Sequence, residues 1–244
     1  MVDILGLKIH NFNDAKTCAK SLCDQICLDL TKNNPVLALS GGKSPLELFL
    51  QLSQSNLSWR DIKIRLVDER IVPQNHAEST TALLHKHFLQ NNAKDADFAS
   101  LLPDAFLREG KALSLQDADA AKDADLLKEL LAHANSHYIQ PDIAILGMGA
   151  DGHFASIFPP FDPKKISKDC IIHTIPTDTK GVKNPPFHRL SMSFDALLKT
   201  PKIYLLLNGQ AKFDVLERAN AQISNDYPIS HILDAKEIHV YYSK

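Results

Sequence analysis

The 244-residue sequence predicts an α/β protein, Rossmann-like, with a mostly parallel sheet carrying helices on both faces. Three observations predict it. Short apolar, β-rich runs recur along the chain, helical periodicity fills the segments between them, and the scarce glycines gather just after two of the runs.

The strands read in order at 36–39, 62–67, 143–146, 171–175, 203–207 and 238–241, each built mainly from Val, Ile, Leu or Tyr. Helices are expected over 13–31, 45–53, 80–89, 118–137 and 211–219, several with apolar residues at three- and four-residue steps. The acidic, Ala-rich stretch 115–125 runs into Leu126, Leu127, Leu130 and Leu131 and reads as a helix with one wet face. No repeat and no Gly/Ser-rich or charged linker interrupts the chain, so residues 1–244 are expected to form one domain.

Hydrophobic residues make up 44% of the chain and charged residues 23%, the composition of a globular protein with a sizeable core. The net charge is −2 and the two signs are interleaved, which leaves no field to draw a polyanion and sets nucleic acid aside as a partner. No apolar run reaches bilayer length and residues 1–6 lack the basic-then-apolar layout of a signal peptide, so a cytoplasmic protein without a membrane partner is expected. Cys18, Cys23 and Cys27 fall at helical spacing, with Cys170 apart from them. Cys23 and Cys27, one turn apart, can share a metal on a helix face; free buried thiols in a reducing compartment are the expectation.

Five of the nine glycines, Gly41, Gly42, Gly147, Gly149 and Gly152, fall in two segments that each follow an expected strand. Loops after strand C-termini form the ligand crevice of open α/β sheets, so this clustering points to a site. In the first segment, Ser40, Gly41, Gly42, Lys43 and Ser44 precede Pro45 and Glu47. Ser44 suits an N-cap, Pro45 the first helical position and Glu47 a capping box, and glycines ahead of such a start let N–H groups converge on an anion such as phosphate. A tight turn that binds nothing is the alternative. The glycine and four-residue spacer of a P-loop are missing, so ATP is not implied.

The strand at 62–67 ends in Asp68, Glu69 and Arg70, which in a parallel sheet open onto the same edge as the glycine loop and place an arginine near an anionic substrate. After the strand at 143–146, Gly147, Gly149 and Gly152 spell a dinucleotide fingerprint in form only, because Pro159, Pro160 and Pro163 stop the helix it requires. What remains is a glycine-built loop holding Asp151 and His153, with histidine as the candidate base and the carboxylate as its orienting partner. Positive charge comes from Arg189 and from Lys212, a cation that the dipole disfavours near a helix start. The remaining histidines show no metal-ligand pattern.

Together these segments resemble the glucosamine-6-phosphate isomerase/6-phosphogluconolactonase family nearly end to end. The resemblance rests on Ser40, Gly41, Gly42, Ser44 and Pro45; Asp68, Glu69, Arg70, Val72 and Pro73; the run from Gly147 to Pro159; Arg189 with Ser191; Gly209 with Lys212; and Tyr227, Pro228 and Ser230. It implies the sugar-phosphate isomerase/deaminase/lactonase-like fold and, for the lactonase branch, hydrolysis of 6-phospho-D-glucono-1,5-lactone to 6-phospho-D-gluconate, the second step of the oxidative pentose phosphate pathway. It further implies His153 as general base, Asp151 as its orienting partner and Arg70 as a group that binds and polarises substrate. The loop of Ser40, Gly41, Gly42, Lys43 and Ser44, with Asp68, Arg189 and Lys212, would hold the phosphorylated lactone without cofactor or metal, in a monomer or weak homodimer.

Lys43 stands where a small hydroxyl residue is common in that family, Thr80 where asparagine is common and Phe154 where threonine is common. The deaminase branch carries tyrosine at the position of Arg70 and a carboxylate at that of Phe158, so the resemblance favours hydrolysis over a deaminase/isomerase reaction. A non-catalytic sugar-phosphate sensor is disfavoured because no helix-turn-helix accompanies the fold.

Overall fold

Alternation of side chains along the strands decides the architecture. Leu37 and Leu39 enter one hydrophobic core and Ala38 another; Ile143 and Ile145 divide from Ala144 and Leu146 in the same way, as do Tyr204 and Leu206 from Ile203, Leu205 and Leu207. A sheet with apolar residues on both faces must be covered on both.

The protein, a computed structural model, is described over residues 2–4, 7–116, 120–165, 167–179 and 181–244. Its first half runs β1 (Val2–Ile4), β2 (Leu7–Phe12), α1 (Ala15–Asp29), β3 (Val36–Leu39), α2 (Leu46–Ser53), β4 (Lys63–Leu66), β5 (Asp68–Arg70), α3 (Thr80–His87), β6 (Asp97–Phe98) and α4 (Asp104–Glu109). Then follow α5 (Ala120–Ser136), β7 (Ile143–Leu146), β8 (Ile171–Thr174), β9 (Arg189–Met192), α6 (Phe194–Lys199), β10 (Lys202–Asn208), α7 (Gln210–Ala221), α8 (Ile229–Ala235) and β11 (His239–Ser243).

The main sheet has the order β1-β2-β11-β10-β7-β3-β4-β6, parallel throughout except for β1. Helices α1, α2 and α3 pack into the core on one face, and α4 to α8 into the core on the other. The expected α/β class with helices on both faces is therefore observed. Around β3 and β7, neighbours at the sheet centre, the helices that follow β3 and precede β7 lie on opposite faces, which opens a crevice at their C-terminal ends.

The segment expected as a strand at 171–175 does form one, β8, but outside the main sheet. It joins β9 and β5 in a separate antiparallel sheet of order β5-β9-β8. Periodicity fixes a strand's local shape and leaves its partner open. The expected helix start at Ser44 also shifts: α2 begins at Leu46, no side chain caps it, and Glu47 instead accepts from Gln51 Nε2 at 3.0 Å. The expected helix start at residue 118 lies outside the described residues. Helix α1 is capped by Asp14, whose Oδ1 accepts from Thr17 N at 2.8 Å.

Candidate active site

Three loops leave the C-terminal edge of the main sheet side by side. Residues 40–44 follow β3, 147–153 follow β7, and Gly209 links β10 to α7. The β5–β9 pair closes the fourth side, with Arg70 directly opposite Arg189 in the antiparallel register. Between them lies a cleft of about 230 Å³, lined among others by Ser40, Gly41, Gly42, Lys43, Ser44, Asp68, Arg70, His153, Arg189 and Lys212. Of the residues given a catalytic or substrate-binding role by the sequence, Asp151 alone stands behind this lining, fully buried.

The loop after β3 is anchored by Ser40 N, which donates to Ile145 O on β7 at 3.1 Å. Gly42 has φ +94°, a conformation that L side chains rarely adopt. Ser44 turns its hydroxyl across the cleft to Lys212, whose Nζ lies 3.4 Å from Ser44 Oγ. Ser44 itself stands one residue before Pro45, the N-cap position of α2. Burial holds the Lys212 ammonium below its ordinary value.

The loop after β7 is a tight turn in which Gly149 N donates to His153 O at 2.9 Å and Gly152 N to Gly149 O at 3.1 Å. It brings Asp151 Oδ1 within 2.6 Å of His153 Nδ1, and the same oxygen accepts the His153 backbone N–H at 3.2 Å. Burial pushes the Asp151 carboxyl up, but the hydrogen bonds and charge of His153, with the Asn184 amide, more than offset this and leave it below the ordinary carboxylate range. An ionised carboxylate only accepts, so Nδ1 carries the proton, and the neutral imidazole keeps Nε2 as its lone-pair nitrogen. A side chain in this arrangement can take a proton from water.

Asp68, Glu69 and Arg70 divide as a strand's alternation requires. Asp68 and Arg70 line the cleft, whereas Glu69 turns inward. The sequence expectation that all three open onto one edge is corrected here for Glu69. Its carboxylate accepts from Arg70 N, Thr80 N, Thr81 N and Thr81 Oγ1 at 2.7–2.9 Å, tying β5 to the first turn of α3. Asp68 Oδ2 takes a hydrogen from Ser156 Oγ at 2.5 Å, joining β5 to the end of the histidine loop. Arg70 donates to the Glu78 carbonyl at 3.3 Å.

Arg189 is 3% exposed, and its guanidinium lies 5.1 Å from the Phe158 ring centroid; that ring in turn lies 4.7 Å from the His153 ring. Burial, together with the Arg70 charge, pulls the Arg189 guanidinium down to about 10. Buried Ser40 Oγ, Arg70 Nε and Arg189 Nε have no hydrogen-bond partner among the described residues. Unpaired donors beside three cationic side chains fit a ligand rich in acceptors and negative charge.

Among the departures from the family pattern, Lys43 and Thr80 line the cleft, whereas Phe154 is fully buried and packs 6.5 Å from Phe194, ring to ring. The sequence reading passed over Asn184, which also lines the cleft and whose Nδ2 donates to Asp151 Oδ2 at 3.3 Å. No local pattern marks it. Among the described residues no group of three or more His, Cys, Asp or Glu side chains is placed to hold a metal ion, and all four cysteines are free.

Fold and cleft together define an α/β protein whose cationic cleft, beside a carboxylate-oriented histidine, is suited to a phosphorylated or similarly anionic ligand. The model of the family described as glucosamine-6-phosphate isomerases/6-phosphogluconolactonase matches residues 13–241, and the chain belongs to that family. A 6-phosphogluconolactonase of Helicobacter pylori strain J99 is 38% identical over 98% of this chain and 100% of its own. A 6-phosphogluconolactonase of Neisseria meningitidis serogroup A is 35% identical over 96% and 98%. A Neisseria gonorrhoeae crystal structure assigned as a 6-phosphogluconolactonase superposes with a TM-score of 0.83 at 34% identity, covering 98% of this chain and 100% of that one.

Proposed function

We propose that this chain hydrolyses 6-phospho-D-glucono-1,5-lactone to 6-phospho-D-gluconate, the second step of the oxidative pentose phosphate pathway. The observation that carries the reading is His153, its Nδ1 committed to buried Asp151 and its ring on a cleft that also presents Arg70, Arg189 and Lys212. Two relatives at 35–38% identity that bear this activity in their names support it.

The substrate phosphate docks on the loop of residues 40–44 with Lys212 and Arg189, and the lactone carbonyl lies towards His153. Neutral His153 takes a proton from water at Nε2 as the water oxygen bonds to C1. Arg70 or loop N–H groups stabilise the oxyanion. The C1–ring oxygen bond then breaks, the ring oxygen receives the proton from Nε2, and the new carboxylic acid ionises. Asp68, with one oxygen held by Ser156, is placed to accept from sugar hydroxyls. No step calls on a metal or cofactor.

Phe158 puts an apolar ring beside the base, so no second carboxylate stands there for the proton shuttling of a deaminase. A main sheet with a core on each face, one of which also takes in Ile171, Leu190 and Met192 of the small sheet, supports a single domain over 1–244. No helix among the described residues is long and apolar enough to cross a membrane. A cytoplasmic enzyme, monomeric or weakly dimeric, is the corresponding proposal.

The test is the rate of opening of freshly generated lactone above its spontaneous rate, with glucosamine-6-phosphate as a control. Acceleration without ammonia release from the control is expected. Ammonia release, or a folded protein that leaves the lactone rate unchanged, overturns the reading.

A further inference from the structure

The Asn184 amide has both of its hydrogens committed. Nδ2 donates to the Thr177 carbonyl at 3.0 Å and to Asp151 Oδ2 at 3.3 Å. Both partners are acceptors, which fixes the amide's orientation. Behind the amide, Asn184 N donates to Asp178 Oδ1 at 3.0 Å, and Thr177 Oγ1 donates to the Pro159 carbonyl at 2.6 Å. The turn that carries Asn184 is thereby pinned to the end of the histidine loop.

The two oxygens of Asp151 are divided between two neighbours: Oδ1 serves His153 and Oδ2 serves Asn184. Asp151 has no exposed surface, so bulk water does not solvate the second oxygen. We propose that Asn184 is a positioning residue for the reaction, setting both the orientation of the Asp151 carboxylate and the proton affinity of His153. This rests on His153 being the base of the proposed hydrolysis.

The physical argument is one of charge sharing. A donor on Oδ2 spreads the carboxylate's charge; without it, Oδ1 attracts the Nδ1 proton more strongly and the imidazolium is favoured. The charged groups that share the cleft with His153 are Lys43, Asp68, Arg70, Arg189 and Lys212, with Asp151 in direct contact. Asn184 carries no charge, so replacing it alters the couple without removing a cleft charge.

The test combines NMR titration of the His153 ring in the free protein with kcat and KM on the lactone, for wild type, Asn184→Ala and Asn184→Asp. The expected result is an imidazole that titrates at higher pH in both variants, further in Asn184→Asp, where an acceptor replaces the donor. In Asn184→Ala, kcat should fall about tenfold with KM within about twofold, and the acid limb of kcat should move up with the imidazole. In the wild type, the Asn184 side-chain amide signals should follow the His153 titration curve, a readout that needs no variant to fold. An unmoved imidazole, or a change confined to KM or to thermal stability, overturns the proposal. If the wild type leaves the lactone unhydrolysed while the imidazole still moves, the lactonase reading fails and the Asn184–Asp151–His153 coupling stands.

Discussion

Gly149 lies against His153 so closely that a β-carbon built on it would sit 2.3 Å from His153 Nδ1 and Cε1, and 2.5 Å from Asp151 Oδ1. The pair can close to 2.6 Å over this position only because it bears no side chain. Gly149→Ala must push the ring or the carboxylate aside, and a misplaced base is costly in rate. The expected outcome is a fall in kcat of about 10²-fold. The melting temperature should drop by no more than about 3 °C, because the loop lies at the sheet edge. Steady-state kinetics beside a thermal melt check this; an unchanged kcat contradicts it.

Ligand affinity should weaken at high pH. In the free protein burial lowers both cations, Arg189 to about 10 and Lys212 below its ordinary value, whereas a bound phosphate favours their charged forms. Affinity is therefore full below the free-state values and is lost as pH rises through them. Calorimetric titration with 6-phosphogluconate should give a dissociation constant that weakens progressively as pH rises from neutrality through about 10, the Arg189 value. A constant affinity to pH 11 in a folded protein speaks against direct binding by these cations.

Lys212 should cost the unliganded protein stability. Its folded-state value is lowered, so the penalty on its charge is present at neutral pH and is relieved only as pH rises towards the unfolded value near 10.5. Lys212→Met keeps the length of the chain's apolar stem, so the variant should melt at or above the wild-type temperature while losing most of the stabilisation that 6-phosphogluconate gives the wild type. A lower melting temperature with ligand stabilisation intact contradicts both parts.

Glu69 is a structural carboxylate with four donors on it, three of them backbone N–H groups of Arg70, Thr80 and Thr81. Glu69→Ala leaves these donors buried and unpaired at the start of α3, for a loss of about 3 kcal/mol in urea unfolding. A loss under about 1 kcal/mol would mean that the first turn of α3 repairs itself.

The two strands at the sheet centre, β3 and β7, were legible to the residue because a run buried on both faces is apolar at every position. β5 and β9 carry Asp68, Arg70 and Arg189 towards the cleft, and charged positions of this kind hide a strand from a hydrophobic reading. The Ser44 capping pattern misled because α2 starts a residue later, with Pro45 at the N-cap position, and the Ser44 hydroxyl faces Lys212, a residue 168 positions away. The cleft's glycines, cations and histidine carried local signals, namely rarity, strand-end position and type. Asn184 carried none: its place beside Asp151 is created by the packing of the turn after β8 against the histidine loop, a tertiary contact across 33 residues.

The measurement that bears most directly on the central claim is kcat/KM of His153→Ala on freshly generated 6-phosphoglucono-δ-lactone, beside wild type and with folding checked by circular dichroism. Loss of the base predicts a fall of about 10²- to 10⁴-fold with the fold intact. A folded His153→Ala protein within about threefold of wild type would show that the reaction draws its base from elsewhere and would contradict the account.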